Sequence, residues 1–285
     1  MKLVASSVVR ANSTDAGSGG VYLIDLEARS VLQPLDLNNA RFPWQDNGRE
    51  RGPRGIAFDG DTFYLMSSDA LYAFSAAFEF QARYENPYLQ YCRGIAIAER
   101  KLFVVSSGCD SIIGFNLDTK EFDWALQIKS HGFEIGAHPF DPATDEGPIL
   151  VAKQDLRDIF CDGTGMYITC SEGLLRFTGN AIGMAVELPA GSRDARPYRD
   201  GILFNDSDDG TLRYAGRGEG EEDRSMPVGS FTRGLCVING AIVASGSSPA
   251  AVTVFDLAAN KRLFSVRISD EAHSAIHSIA LWPFD

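Results

Sequence analysis

A short phrase recurs in this chain with a fixed ruler behind it. Arg54-Gly55-Ile56-Ala57-Phe58 returns as Arg93-Gly94-Ile95-Ala96-Ile97 and, more loosely, as Arg233-Gly234-Leu235-Cys236-Val237. Nine residues after each Arg stands an apolar residue that opens a second strand-like run: Phe63, Leu102 and Ile242. The same spacing fits Arg157, with Met166 at plus nine, and Arg193, with Ile202. A sixth unit comes from joining the ends, since counting on from His277 through the C-terminus reaches Met1 and the run Leu3-Val4-Ala5. Position plus fourteen is the decisive check. It is Ser68, Ser107, Ser171, Ser207 and Ser247 behind the five arginines and, wrapped round, Ser6 behind His277. Six serines on one ruler mark a true repeat, and a repeat of about 40 residues means a solenoid, an array or a propeller.

The periodicity inside each unit is that of strands. Third strands are expected at Leu71 to Phe74, Ile112 to Leu117, Leu174 to Phe177, Leu212 to Tyr214, Val252 to Leu257 and Val21 to Leu26. Fourth strands stand out at Glu121 to Ile128, Leu263 to Ile268 and Val31 to Leu37. Asp59-Gly60 and Asn239-Gly240 are hairpin turns by composition. Four short strands in each of six units predict an all-β, six-bladed β-propeller. It would be a single domain over 1–285, closed by pairing the C-terminal strand with N-terminal strands in one blade. Closure of that kind removes the open sheet edge that invites aggregation. It makes Leu3 to Val9 a strand and not a signal sequence, although its apolar run superficially suggests one.

Charge and cysteine content narrow the partners. The chain carries 26 Lys+Arg against 38 Asp+Glu, a net charge of −12. That disfavours nucleic acid and an anionic membrane surface, both of which need a positive face. Five cysteines without CxxC spacing predict reduced thiols and a cytoplasmic setting. The acidic stretch from Gly218 to Asp223 is expected as a solvated loop. The unit starts lie 39, 64, 36, 40 and 44 residues apart, so the 64 marks an insertion at about 129–154. It carries His131, Phe133, Glu134 and His138 and is expected as a loop over the channel mouth.

The first strand of a propeller blade lines the central channel, which puts Arg54, Arg93, Arg157, Arg193, Arg233 and His277 at equivalent places. Guanidinium is a planar fork suited to carboxylate, phosphate or sulfate. One reading is therefore a channel that recognises a small anionic molecule, with His131 and His138 covering its mouth. Its catalytic form would be a lyase, isomerase or hydrolase in which the arginines stabilise developing negative charge and His277 shuttles a proton. The other reading is a non-catalytic scaffold in which each Arg is a structural latch to Asp or carbonyl groups, Asp158 and Asp194 directly following two of them. The serines are expected to satisfy backbone groups. No cofactor is required by the sequence; a divalent metal held by the histidines with Glu134 is one candidate. Ser207 to Thr211 resembles an Asp-box but is one residue too short, Asn205 to Gly210 resembles a calcium loop but lacks the closing Glu, and both are expected as a turn.

Phe231-Thr232-Arg233-Gly234-Leu235, Arg196-Pro197-Tyr198-Arg199-Asp200-Gly201 and Leu156-Arg157-Asp158-Ile159-Phe160 resemble motifs of a bacterial six-bladed propeller family of unknown function. That family carries His or Asn at positions where this chain has Arg157 and Arg193. More distantly, the architecture is similar to the gluconolactonase-type and NHL propellers. The resemblance implies the fold and no reaction.

Overall fold

The computed structural model describes residues 1–10, 17–44, 50–131, 134–150, 152–218 and 222–284, with the backbone alone of His131. The chain is an all-β, six-bladed β-propeller. Its first strands are Ile56–Asp59, Cys92–Ala98, Asp158–Asp162, Ser192–Tyr198, Ser230–Val237 and Ser274–Leu281. Each of these follows one of the registered Arg or His positions or contains it. Five of them open the blades we number first to fifth, and Ser274–Leu281 belongs to the sixth. In the sixth blade Ser274–Leu281 pairs antiparallel with Lys2–Arg10, from Leu3 opposite Leu281 to Val9 opposite Ser274, and Gly20–Asp25 and Ser30–Asp36 follow. The wrapped ruler and the terminal closure are thus one and the same register.

Contacts group the chain into two compact units, Met1–Ile56 with Arg196–Asp285, and Ala57–Ala195. Within each, the core lies between consecutive blades, because a sheet with two apolar faces must bury both. In the second unit Tyr64, Met66 and Leu71 of the first blade pack with Leu102, Val104 and Phe115 of the second. Val105, Ile112 and Ile128 then meet Met166, Ile168 and Leu175 of the third. In the first unit Leu203, Leu212 and Tyr214 meet Val243 and Phe255, while Ala244, Val252 and Val254 meet Leu3, Ile24 and Ile276.

The glycine of the recurring phrase has a steric cause in each unit. A Cβ on Gly94 would stand 2.9 Å from Asp158 Oδ1 and 3.0 Å from Asp158 Cα. Gly234, at φ 72°, would place one 3.2 Å from Ile279 N. Here the first strand of one blade approaches that of the next too closely for a side chain.

The insertion differs from its expectation as a loop. Phe122–His131 runs longer than the expected fourth strand, and Glu134–Phe140 pairs back on it from Ala125 opposite Phe140 to His131 opposite Glu134. The second blade therefore has five strands, with Glu134–Phe140 at its outer edge and Cys92–Ala98 at its inner one. The chain beyond is tied down: Tyr88 Oη donates to Thr144 O at 2.7 Å and accepts from Gly147 N at 2.7 Å. The backbone amides of Lys153 and Gln154 donate to the buried Asp110 carboxylate at 2.7 and 3.0 Å. Alternating side chains and a hydrogen-bonding partner edge favour a strand over a lid. Phe133, residues 219–221 of the acidic stretch and the His131 side chain lie outside the described residues.

Candidate functional site

The ruler position coincides with a β-bulge in three blades. The pairing skips at Arg93-Gly94, between Cys92 opposite Ser106 and Ile95 opposite Val104. It skips at Gly234, between Arg233 opposite Gly246 and Leu235 opposite Ser245. His277 is itself the extra residue, between Ile276 opposite Ser7 and Ser278 opposite Ser6. Bulges re-aim one side chain out of the ladder, which is how a strand built for packing presents a cation at its leading end.

In the second unit these cations are latched. Arg157 is buried, and all three of its guanidinium nitrogens are engaged. Nε and Nη2 donate to Asp155 Oδ2 at 2.9 and 2.6 Å, and Nη1 donates to the carbonyls of Ala190 and, at 3.0 Å, Ser192. Arg93 donates from Nε to Ser107 Oγ at 3.1 Å, and its Nη2 lies 3.8 Å from the same Asp155. The Asp194 amide donates to Asp158 Oδ2 at 3.2 Å, so the acid after Arg157 serves the backbone of the following blade. Arg193 is half-buried at the corresponding position of Ser192–Tyr198.

The serine ruler does the same work with neutral groups. Ser107 Oγ donates to Leu156 O, the residue before Arg157. In the first unit Ser6 Oγ donates to Arg54 O at 2.5 Å, and Ser207 Oγ to Thr232 O, before Arg233, at 2.7 Å. Three times, then, the serine ending a second strand takes the carbonyl that leads into the next blade's first strand. Ser171 and Ser247 donate instead to Gln154 O and Pro249 O, both at 3.3 Å, and Ser68 to Asp69 Oδ1 at 3.4 Å.

The first unit holds a different arrangement. Three guanidiniums converge on Glu50. Arg233 Nη1 donates to Glu50 Oε2 at 2.9 Å, Arg54 Nη2 to Glu50 O at 2.9 Å, and Arg10 Nε lies 3.9 Å from Glu50 Oε1. The Arg10 guanidinium stacks 3.1 Å above the Phe231 ring, and that of Arg233 lies 5.3 Å from it. Phe231 holds a positive φ of 55°, an uncommon conformation for an aromatic residue. Arg233 is 6% exposed, and its Nε has no hydrogen-bond partner among the described residues. Burial, opposed by Glu50 and reinforced by Arg233, lowers the Arg10 pKa from its ordinary value.

Of the remaining expected residues, His277 is buried in its bulge in this same unit. His138 is exposed on the outermost strand of the second blade, opposite Gln127 and at the far edge of the sheet from Arg93. The geometry therefore gathers Arg54 with Arg233, and Arg93 with Arg157, and leaves His138 apart from both. Sequence reasoning missed Arg10, Glu50 and Asp155. Arg10 falls four residues beyond the registered Ser6, and Glu50 belongs to the two-residue strand Glu50–Arg51, which pairs with Val9 and Arg10. No repeat marks either. Asp155 was two residues from Arg157 and legible as a partner only on distance.

Among the described residues no cluster of His, Cys, Asp or Glu is placed to hold a metal, and no helix is long and apolar enough to cross a membrane. Asn205 to Gly210 is a turn: the buried Asp206 accepts from Arg213 Nη1 at 3.0 Å and from the amides of Asp208 and Asp209 at 3.2 Å. Burial pushes the Cys161 and Cys236 thiols up to about 12 and about 11, which keeps both protonated near neutral pH.

No family model matches the chain, and no curated protein matches it. Among solved structures it is similar to a chain of the nidogen/laminin complex, with a TM-score of 0.60, 13% identity and 97% of each chain covered. It is also similar to apo AztD from Citrobacter koseri, with a TM-score of 0.50, 12% identity and 98% of each chain covered. At these identities the likeness defines the class, a six-bladed β-propeller, and carries no function across.

Proposed function

We propose that the chain recognises a small anion, a carboxylate, phosphate or sulfate, at the corner formed by Arg10, Arg54 and Arg233. The observation that carries this is the convergence of three guanidiniums on one acidic residue, Arg233 and Arg10 at the Glu50 carboxylate and Arg54 at its carbonyl, with a buried Arg233 Nε lacking an acceptor among the described residues. A buried donor without a partner costs roughly 1–3 kcal/mol, which a bound oxyanion would recover. Like charges held together by stacking on Phe231 repel one another, and an anion relieves that repulsion. The proposal is of binding alone and assigns His277 no step. Kinship with the bacterial propeller family of unknown function is part of the same reading, resting on the motifs around Arg157, Arg196 and Arg233.

A second reading, the non-catalytic scaffold, is favoured by Arg157, whose guanidinium is wholly taken up by Asp155 and two carbonyls. A thermal-shift titration with citrate, phosphate and sulfate separates the two. A ligand at 100 times its Kd adds about 2.7 kcal/mol of stability. Anion recognition predicts a saturable stabilisation that weakens with ionic strength and disappears in Arg10→Met, a substitution at a partly exposed side chain. Wild type and Arg10→Met responding alike, or neither responding, would leave the scaffold as the better account.

A further inference from the structure

The sixth blade, built from both ends of the chain, carries a second and chemically opposite feature. A cleft of about 260 Å³ is lined by Ser7, Tyr22, Gln33, Asp36, Glu271 and Ser274 together with smaller contributions from their neighbours. Its described lining holds two carboxylates, several hydroxyls and two side-chain amides, and no Lys, Arg or His.

The walls are fixed by backbone geometry. Ser7 stands opposite the bulge at His277, paired with Ile276, and its Oγ accepts from Gly20 N at 3.1 Å. A Cβ on Gly19 would lie 1.7 Å from Ser7 O, so only glycine lets the chain pass this close. Asp36 is held by Asn38 N at 3.0 Å and by the side-chain amides of Asn38 and Asn39 at 3.1 and 2.6 Å. Burial raises the Tyr22 pKa; Ser7 partly opposes this by hydrogen bonding, and Asp36 and Glu271 add to it, which places both acids around the one phenol.

Two groups in this lining have no protein partner for their side chains among the described residues and are open to a ligand. Glu271 is exposed and forms no ion pair among the described residues. Ser274 is 4% exposed, yet its hydroxyl has no hydrogen-bond partner among the described residues and lines the cleft. That hydroxyl opens onto the cleft, where it can donate to or accept from a molecule held there.

We infer that this cleft binds a small organic cation, an ammonium-bearing molecule whose N–H groups are accepted by Glu271, Asp36 and the Ser274 hydroxyl against the Tyr22 ring. Acceptors without a resident cation select a cationic donor. An ammonium suits the arrangement better than a metal, because the described lining supplies only two carboxylates and no His or Cys.

Isothermal titration of the full chain with putrescine and with ethanolamine tests this, with glucose and CaCl2 as the neutral and metal alternatives. The expected result is saturable amine binding, weakened roughly tenfold by Glu271→Gln through loss of a charge-assisted bond and severalfold by Ser274→Ala. Circular dichroism of each variant verifies that it is folded. Arg233→Met should leave amine binding unchanged, which separates this cleft from the anion corner. The inference is overturned by the absence of amine binding at millimolar concentration, by amine affinity that neither variant alters, or by binding of glucose or calcium alone.

Discussion

Replacing Arg157 by Met is the sharpest test of the latch. The substitution keeps most of the aliphatic volume and removes four donated hydrogen bonds, two to Asp155 and one each to Ala190 O and Ser192 O. Breaking a buried ion pair by removing one partner costs about 3–5 kcal/mol when the other charge stays buried. Asp155 is 41% exposed at its side chain and regains water, so most of that term is discounted. The two carbonyls remain, and each unsatisfied buried acceptor costs about 1–3 kcal/mol. The sum is about 2–6 kcal/mol, which for a chain of this size lowers Tm by roughly 5–15 °C. Differential scanning fluorimetry at two ionic strengths reads it. The loss should be nearly independent of salt, because the Arg157 guanidinium is buried. A decrease below about 1 °C, with the secondary structure unchanged, would refute the argument that this guanidinium holds the third blade to the residues leading into the fourth.

Further outcomes follow from the same contacts. Ser6→Ala, Ser107→Ala and Ser207→Ala should each cost about 1 kcal/mol in chemical denaturation, and Ser6→Ala and Ser107→Ala should add in the double variant because their sites share no partner. Gly94→Ala should cost about 1–3 kcal/mol, since its new Cβ meets not only the Asp158 carboxylate but also the unyielding backbone of Asp158 and Ile159 at 3.0 and 3.1 Å. Burial raises the Asp110 carboxyl above its ordinary value despite the two amides it accepts. A raised folded pKa means that the folded state holds its proton more tightly than the unfolded one. Its contribution is therefore greatest at low pH and is lost as pH rises from the ordinary carboxylate value through the raised one. A Tm–pH profile should fall more across that window in wild type than in Asp110→Asn. Iodoacetamide at neutral pH should leave Cys161 and Cys236 unmodified in the folded protein and label both after unfolding, as mass spectrometry will read.

Much of this molecule was legible before any coordinates. Arg, the residue at plus nine and the Ser at plus fourteen located every first and second strand, and the wrapped count anticipated that His277 and Ser6 meet in one blade. These features are local and periodic, and a repeat states them six times over. The glycine after Arg54, Arg93 and Arg233 was visible as a pattern, whereas its cause, the approach of the neighbouring blade at Gly94 and Gly234, was not.

What escaped the sequence has a common physical character. Glu134–Phe140 lacks a repeat partner, and only its hydrogen bonds to Phe122–His131 make it a strand at the outer edge and not a lid. The residues that neutralise the arginines come from non-repeating segments: Asp155 from the end of the insertion, Glu50 from a two-residue strand. Periodicity determines which backbone positions are equivalent, because equivalent blades need equivalent packing. It says nothing about charge balance, which depends on distances between segments far apart in the chain. The sequence alone thus determined six blades, their register and the cations at their leading ends. Only the tertiary structure decided that Arg157 is consumed as a latch while Arg10, Arg54 and Arg233 converge on Glu50, since Coulomb and hydrogen-bond energies are set by ångström separations that no spacing along a chain encodes.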